Sequence, residues 1–325
     1  MKRYLGLDIG GTKCAVVLGD ENGKVLKKTS FPTEDVGKTL PRLLDEAEAM
    51  IAASDAPVRS VGVSCGGPLD PVRGVIQSPP NLPDWDDIEI VRMIRERTGL
   101  SAVLTNDANA CALAEWRFGA GRGCGSMIFL TFGTGIGAGI IMDGRLLNGA
   151  NGNAGEIGHV RLEPTGPVGY GKAGSVEGFA SGGGIAQLGR AAALERFRDG
   201  KSTAFCSSPA ELGGVTAKSI AEAAFDGDET AIAVYRRAGE MLGRALSILV
   251  DVLNPERIVI GSIYRRASSL LKEEMERVMK EECLPAALSA VTVLPAELGE
   301  EIGDRAALSL AIAADTETEE EAWKR

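Results

Sequence analysis

The chain has 325 residues, 44% hydrophobic and 25% charged, the composition of a globular protein with room for two domains. Acidic residues outnumber basic ones by 45 to 35, and the formal net charge of -10 argues against nucleic acid as a main partner, because phosphate backbones need a basic face. No apolar run approaches the roughly 20 residues of a membrane span, so no membrane partner is expected.

The opening segment, Met-Lys-Arg-Tyr-Leu-Gly-Leu-Asp, carries two basic residues, then enters a strand and meets Asp8, which is not the pattern of a signal peptide. Six cysteines (Cys14, Cys65, Cys111, Cys124, Cys206 and Cys283) are scattered without a CxxC pair and read as reduced core thiols of a cytoplasmic protein. Glycine is the unusual count. Its 42 residues, against 5% aromatics, are clustered rather than periodic, as in proteins with several backbone-built binding loops.

Residues 3–20 read as strand, glycine turn and strand, with a third strand near Val25 and Leu26. The turn carries Gly10, Gly11, Thr12 and Lys13. Adjacent glycines let backbone amides form a nest for phosphate oxygens, and the Thr12 hydroxyl can donate to them. A carboxylate this close to phosphates is repelled unless a cation intervenes, so Asp8 suggests Mg2+, held through water. The same residues also suit an ordinary type I′ hairpin with a surface Asp and Lys.

Helical periodicity over 36–54 (Leu40, Leu43, Leu44, Ala47, Met50, Ile51) leads to a strand at 60–64 and the turn Cys65-Gly-Gly-Pro-Leu-Asp70. The proline-set loop Ser78-Pro-Pro-Asn-Leu-Pro-Asp-Trp85 offers the Asn81 amide and an aromatic face, a pairing that suits sugar recognition. It also reads as a plain connection with a partly buried Trp85. A helix over 87–97 and a strand over 101–105 deliver Asn106-Asp107-Ala-Asn109 to the start of a helix over 108–117. Asp107 can cap that helix, contributing about 1 kcal/mol. Alternatively it accepts a proton from an attacking hydroxyl while Asn106 holds a neighbouring one.

Glycine-rich residues 119–125 mark entry to a second domain. A strand over 126–131 runs into Phe132-Gly-Thr-Gly-Ile-Gly137, a return strand follows over 138–142, and Asp143-Gly144 makes a hairpin turn. Strand, glycine turn and strand thus occur twice, as an internal duplication facing one nucleotide. Directly afterwards, Gly155-Glu-Ile-Gly-His159 places a carboxylate three residues before the only histidine. A phosphate cradle followed by polar groups suited to hydroxyls points to a kinase of a hydroxyl-rich substrate. Residues 161–184 are loop-rich; helices are expected over 185–197, 217–225 and 228–252. A buried strand over 255–261 ends at Gly261, where a nucleoside could lie or a bare turn simply connects. A helix over 264–281, a strand over 290–294, a helix over 301–314 and a fraying acidic tail over 315–325 complete the chain.

With these pieces assembled, the chain resembles a sugar kinase of the ROK (repressor, ORF, kinase) family, glucokinase-like, over nearly its whole length. The resemblance rests on Asp-Ile-Gly-Gly-Thr-Lys at 8–13, Gly-Gly-Pro-Leu-Asp at 66–70, Pro-Asn-Leu at 80–82, Asn-Asp-Ala-Asn at 106–109, Phe-Gly-Thr-Gly-Ile-Gly at 132–137 and Gly-Glu-Ile-Gly-His at 155–159. It implies an actin-like (ribonuclease H-like) α/β fold of two domains with a cleft between them, closing on ATP and a hexose. The expected boundaries are 1–118, 119–300 and a tail at 316–325, with the helix near 301–315 packing back on the first domain. By resemblance, Asp107 is the general base; Asn81, Asn106, Glu156, His159 and Glu177 bind the sugar; residues 10–13 and Gly133, Thr134 and Gly135 hold the phosphates; Gly261 lies by the adenosine; and Asp8 supports Mg2+. A homodimer is expected on the same ground.

The sequence departs from the family in one chemical respect. The family commonly carries a zinc site built from the pocket histidine and three cysteines in the pattern Cys-x-Cys-Gly-x-x-Gly-Cys-x-Glu. The aligned run here is Val168-Gly-Tyr-Gly-Lys-Ala-Gly-Ser-Val-Glu177, which keeps the glycines and Glu177 and has none of the thiols. One histidine alone cannot close a tetrahedral site. No zinc is expected, and packing around Tyr170 and Phe179 is expected to hold the loop instead. Gly66 stands where proline is frequent, and Ser262 where a second glycine is usual. Alternatives are a sugar-responsive transcriptional regulator, which would need a winged helix-turn-helix ahead of the strand starting at Tyr4, a sugar-binding protein without catalysis, and an actin- or Hsp70-like ATPase, for which Glu156 and His159 have no task.

Overall fold

The computed structural model describes residues 1–316. The expected acidic tail lies outside them, apart from its first two residues, which end the last helix. The chain forms two compact units. One comprises Met1–Gly125, Gly139–Ala154 and Glu297–Arg325, the other Ser126–Ala138 and Gly155–Ala296.

In the first unit, β1 (Arg3–Ile9), β2 (Lys13–Asp20) and β3 (Val25–Pro32) form an antiparallel meander, followed by α1 (Val36–Ala52) and β4 (Val58–Cys65). A short ribbon of β5 (Leu69–Asp70) and β6 (Val75–Ile76) precedes α2 (Ile90–Thr98), β7 (Ser101–Asn106) and α3 (Asp107–Phe118). The sheet order is β3-β2-β1-β4-β7, with β4 parallel to both β1 and β7. Near-continuous apolar runs such as Val61 and Val63 read as buried parallel strands because both sheet faces are covered. One face packs against α1 and α2 around Leu43, Met50 and Ile94. The other face, carrying Tyr4 and Val17, packs against Leu308, Ala311 and Ile312 of the last helix. Gly62 is required there, since a Cβ would run into the Ala307 carbonyl oxygen.

The register sets up the chemistry. Ile9 pairs with Cys65, and Cys65 with Asn106, so three parallel strands end level with one another. The carboxyl ends of parallel strands are where open α/β sheets bind ligands.

The chain continues with β8 (Met127–Phe132), β9 (Ile136–Met142) and β10 (Arg145–Leu146), then the ribbon β11 (Val168–Gly169) and β12 (Lys172–Ala173). Next come α4 (Val176–Ala180), α5 (Gly182–Arg198), α6 (Ala217–Phe225) and α7 (Glu229–Leu253). The last elements are β13 (Arg257–Ile260), α8 (Ile263–Glu282), α9 (Pro285–Ala290), β14 (Thr292–Pro295) and α10 (Ile302–Thr316). The second sheet runs β10-β9-β8-β13-β14, with β8, β13 and β14 parallel. Among the described residues, no helix is long and apolar enough to cross a membrane.

Three expected elements shift. The helix expected from 87 begins at Ile90, because Ile88 is held extended against Ile76 by reciprocal backbone bonds of 3.0 Å. Ala290 ends a helix started by Pro285, a proline at its favoured first-turn position, so the strand begins at Thr292. The loop-rich stretch 161–184 contains the ribbon, α4 and the first turn of α5.

Candidate active site

The turn joining β1 to β2 is not a type I′ hairpin, since neither Gly10 nor Gly11 has positive φ. Glycine is needed at 11 for close approach, because a Cβ there would lie 2.8 Å from the Asn81 Cβ and against its carbonyl oxygen. The Gly10 amide donates to the Lys13 carbonyl at 3.1 Å. The amides of Gly11 and Thr12 have no partner among the described residues, and Thr12 and Lys13 are exposed. Two successive unpaired N–H groups make an anion nest.

Asp8, half-buried, is the last residue but one of β1, just before this turn. Burial pushes its pKa up to about 6; Asp304 and Asp107 add to the rise, and Lys28 and Lys13 oppose it. Lys28 is committed to Asp304, donating to Oδ2 at 2.6 Å. An acid held among like charges gains from a cation. Among the described residues no group of three or more His, Cys, Asp or Glu is arranged to hold a metal. Mg2+ asks for less, since it keeps its waters and binds through one or two carboxylates and the substrate's phosphates. Asp8 fits that mode.

At the end of β7 the capping question resolves. Asn106 is the N-cap of α3: its Oδ1 accepts the Asn109 amide at 2.8 Å. Asp107 sits one position later, exposed, with Oδ1 on the Ala108 amide at 2.8 Å. Although its edge is open to solvent, burial of the rest of the carboxyl raises its pKa, opposed by the amides of Ala108 and of Asp107 itself. With Asn106 as the cap, the Asp107 carboxylate is not needed for that bond, and the Asn106 amide nitrogen has no partner among the described residues. Asn81 is exposed beside Gly11 and faces the turn at Gly66, its Oδ1 lying 3.6 Å from where a Cβ of Gly66 would be. Trp85 offers no sugar-stacking face; it is wholly buried in the core against α1 and α2.

The second glycine turn, between β8 and β9, repeats the first. The Gly133 amide donates to the Gly135 carbonyl at 3.1 Å, and the amides of Thr134 and Gly135 have no partner among the described residues. The carbonyls of Gly133 and Thr134 accept from Gly182 (2.8 Å) and Gly183 (3.3 Å) in the first turn of α5. Glu177, near the start of α4, reaches the same turn: its Oε2 accepts the Ile136 amide at 3.3 Å.

Beside this turn opens a cavity of about 540 Å³. Its walls are mainly apolar, including Ala186, Ala217, Ala221, Phe225, Ile263 and Ala267, with Thr216, Glu222 and Arg266 among the polar groups. Gly261 does not line it. The Gly261 amide is tied to the Leu130 carbonyl at 2.9 Å, and the wall comes from the next turn of chain. Ser262 keeps the left-handed backbone, φ 42°, that the glycine usual there would favour. The cavity walls were not named from the sequence. The run Ser181-Gly-Gly-Gly184 was the available signal, since three glycines opening a helix let a ligand approach its backbone.

The segment 155–159 is fastened to β9. Gly155, at φ 94°, leaves no room for a Cβ beside the Ala138 carbonyl, and Gly158 leaves none beside that of Ile136. The Ala138 amide donates to Gly155 at 2.8 Å. Glu156 and His159 are thereby held exposed on one 3-10 turn. The expected packing around Tyr170 is half right. Phe179 is buried, but Tyr170 is 74% exposed at φ 43°, meeting the His159 ring only edge-on at 6.4 Å.

Two α/β units, each with a glycine turn between its first strands, define an actin-like ATPase (ribonuclease H-like) fold. Residues 4–314 match the ROK family, and the chain belongs to it. The glucokinase of Thermotoga maritima is 34% identical over 323 residues, covering 95% of this chain and 96% of the relative. The structure of a ROK family glucokinase from Streptomyces griseus in complex with glucose and AMPPNP is similar at a TM-score of 0.73 and 31% identity, covering 96% of this chain and 100% of that one. A ROK family transcriptional regulator, a homolog of the E. coli MLC protein, superposes at 0.84 with 28% identity, covering 97% of this chain and 78% of that chain.

Proposed function

We propose that the protein transfers the γ-phosphoryl group of Mg-ATP to a hydroxyl of a hexose or hexose derivative, with Asp107 as general base. Its enzyme class is that of the ATP-dependent sugar kinases, phosphotransferases with an alcohol acceptor. The observation that carries the mechanism is the division of labour at the start of α3, where Asn106 caps the helix and Asp107 is left to act.

The amides of Gly11, Thr12, Thr134 and Gly135, with the Thr12 hydroxyl and Lys13, are assigned to the phosphates. The adenosine is assigned to the 540 Å³ cavity, of a size usual for small-molecule sites, with Gly261 one turn behind its wall. Mg2+ would be held through water by Asp8 and would neutralise charge on the phosphates. The sugar is assigned to Asn81, Asn106, Glu156, His159 and Glu177. Asp107, its pKa raised by burial, takes the proton of the attacking hydroxyl as that oxygen bonds to the γ-phosphorus and the bond to the ADP oxygen breaks. No zinc takes part. A cytoplasmic homodimer acting on small molecules, with neither nucleic acid nor membrane as partner, completes the proposal.

The other reading, a sugar-responsive protein without kinase activity, is not favoured by the glucokinase relatives, although a transcriptional regulator shares the fold. A coupled ADP-release assay over a panel of hexoses separates the two. At least one sugar is expected to raise ADP production in the parent, and Asp107→Ala is expected to remove the rise. A parent inert with every sugar refutes the kinase assignment.

A further inference from the structure

The donor set of the family's zinc site does not exist here, because Val168, Tyr170 and Ser175 stand at the thiol positions. The loop they belong to leads into Glu177 and backs the turn, fastened to β9, that carries His159. Its own backbone closes it: the Leu162 and Glu163 amides both donate to the Gly174 carbonyl, at 2.8 and 3.1 Å, and Gly174 donates to Pro167 at 2.9 Å. Those bonds shape the loop without fixing it to anything else.

Gln187 of α5 holds the Val168 backbone, accepting from its amide at 2.9 Å and donating to its carbonyl at 2.8 Å, and a charge network supplies a second attachment, to α7. Glu163 Oε1 accepts from Arg244 Nη1 at 2.8 Å and lies 3.6 Å from Arg237 Nη2. Glu240 bridges the same two arginines, accepting from Arg237 Nη1 at 2.6 Å and Arg244 Nη2 at 3.1 Å. Arg237, Glu240 and Arg244 follow one another at helical spacing on α7, so a single helix face presents the whole receptor for Glu163. Arg237 also stands 5.4 Å over the ring of buried Phe179, in α4, which carries Glu177. At the other end of the loop, Lys172 donates to the His159 carbonyl at 2.8 Å.

We propose that this network does here what a metal does in zinc-bearing relatives. It fixes the loop at 163–177 to α7 and so positions Glu177 and His159, with Arg244, which touches both carboxylates, as the central positioning residue. The part concerning the sugar rests on the kinase proposal; the part concerning the loop does not. The two fastenings differ in kind. A metal site answers to chelators and ligand protonation. Partly exposed ion pairs answer to salt, which screens charges over roughly 8–10 Å at moderate ionic strength.

The test uses the full chain with Arg244→Met, Glu163→Gln and the double variant. Amide hydrogen exchange over 162–174 is expected to quicken by roughly five-fold in each single variant, the weight of about one exposed ion pair, with no further gain in the double. The sugar KM is expected to rise by a similar factor, roughly five-fold, while the ATP KM moves less than about two-fold, and Arg244→Lys recovers part of the loss. High salt in the parent should imitate Arg244→Met, and a chelator should do nothing. Unchanged exchange in Arg244→Met overturns the proposal. So does faster exchange with an unchanged sugar KM, and so does stoichiometric zinc in the purified protein. A parent without sugar-dependent turnover refutes the kinase proposal alone, and exchange then decides whether the network holds the loop.

Discussion

The two glycine turns are close copies in hydrogen bonding and opposites in surroundings. Each returns its first glycine amide to a carbonyl within the turn, and each leaves two successive amides unpaired among the described residues. The turn at 10–13 is crowded, with Asn81 against Gly11 and Asp8 just before it. The turn at 133–135 is open at its first residue, where a Cβ on Gly133 would meet nothing within 4 Å, and it borders the 540 Å³ cavity. The same backbone device occurs twice. What differs is its company, acids in one case and an apolar cavity in the other, and under the proposed kinase function that difference would separate a place for phosphoryl transfer from a place for a nucleoside.

The comparison is most easily broken at its acidic side. Asp107→Ala should lower kcat by about 10²–10⁴-fold, the usual worth of general-base assistance, with the ATP KM nearly unchanged. A comparable rise in ATP KM would move Asp107 to the nucleotide. Next in size is the contrast between Gly11→Ala and Gly133→Ala. The first forces a methyl group against the Asn81 backbone, and a loss of about 2–3 kcal/mol in stability is expected from overpacking. The second meets open space at ordinary φ and should stay within about 0.5 kcal/mol of the parent. Equal losses in urea unfolding would erase the distinction between the turns.

Ala221→Phe, which projects a ring into the cavity, should raise the ATP KM by roughly ten-fold and leave the sugar KM alone. The smallest effect concerns Asp8. Its folded pKa of about 6 exceeds the ordinary 3.8, so the folded state holds the proton more tightly. The stability this provides is complete below the ordinary value and is lost as pH rises through about 6. Without Mg2+, Asp8→Asn should therefore stabilise the fold at pH 7 by about 1–2 kcal/mol, a gain that fades towards pH 4 in thermal unfolding. Turnover in the parent should fall below about pH 6 for the same reason.

Much of this was legible because the signals are local. A glycine pair between two apolar runs announces a turn with accessible amides, and Gly155-Glu-Ile-Gly-His159 announces polar groups beside it. The division between Asn106 and Asp107 was not legible, since either residue type caps a helix and only backbone position decides which does. Trp85 stayed open between a sugar-facing and a buried aromatic, because composition does not say which way a loop aromatic faces. The cavity escaped for a different reason. Its walls come from the starts of α5 and α8 and from α6, far apart in sequence, and small apolar residues such as Ala186 and Ala221 carry no chemical signature. The network around Arg244 is hidden in the same way, since Glu163 and Arg244 lie 81 positions apart.

The packing of α10 on β1, β2 and β4 has a consequence for synthesis. The sheet face bearing Tyr4 and Val17 is made long before Leu308, Ala311 and Ile312, which cover it. On the ribosome that face stays without this cover while residues 126–296 emerge. Strands β1 and β2 therefore complete their packing only once α10 is made, and a chain stopped before residue 302 would keep an uncovered apolar face, the kind of surface on which nascent proteins aggregate or engage chaperones.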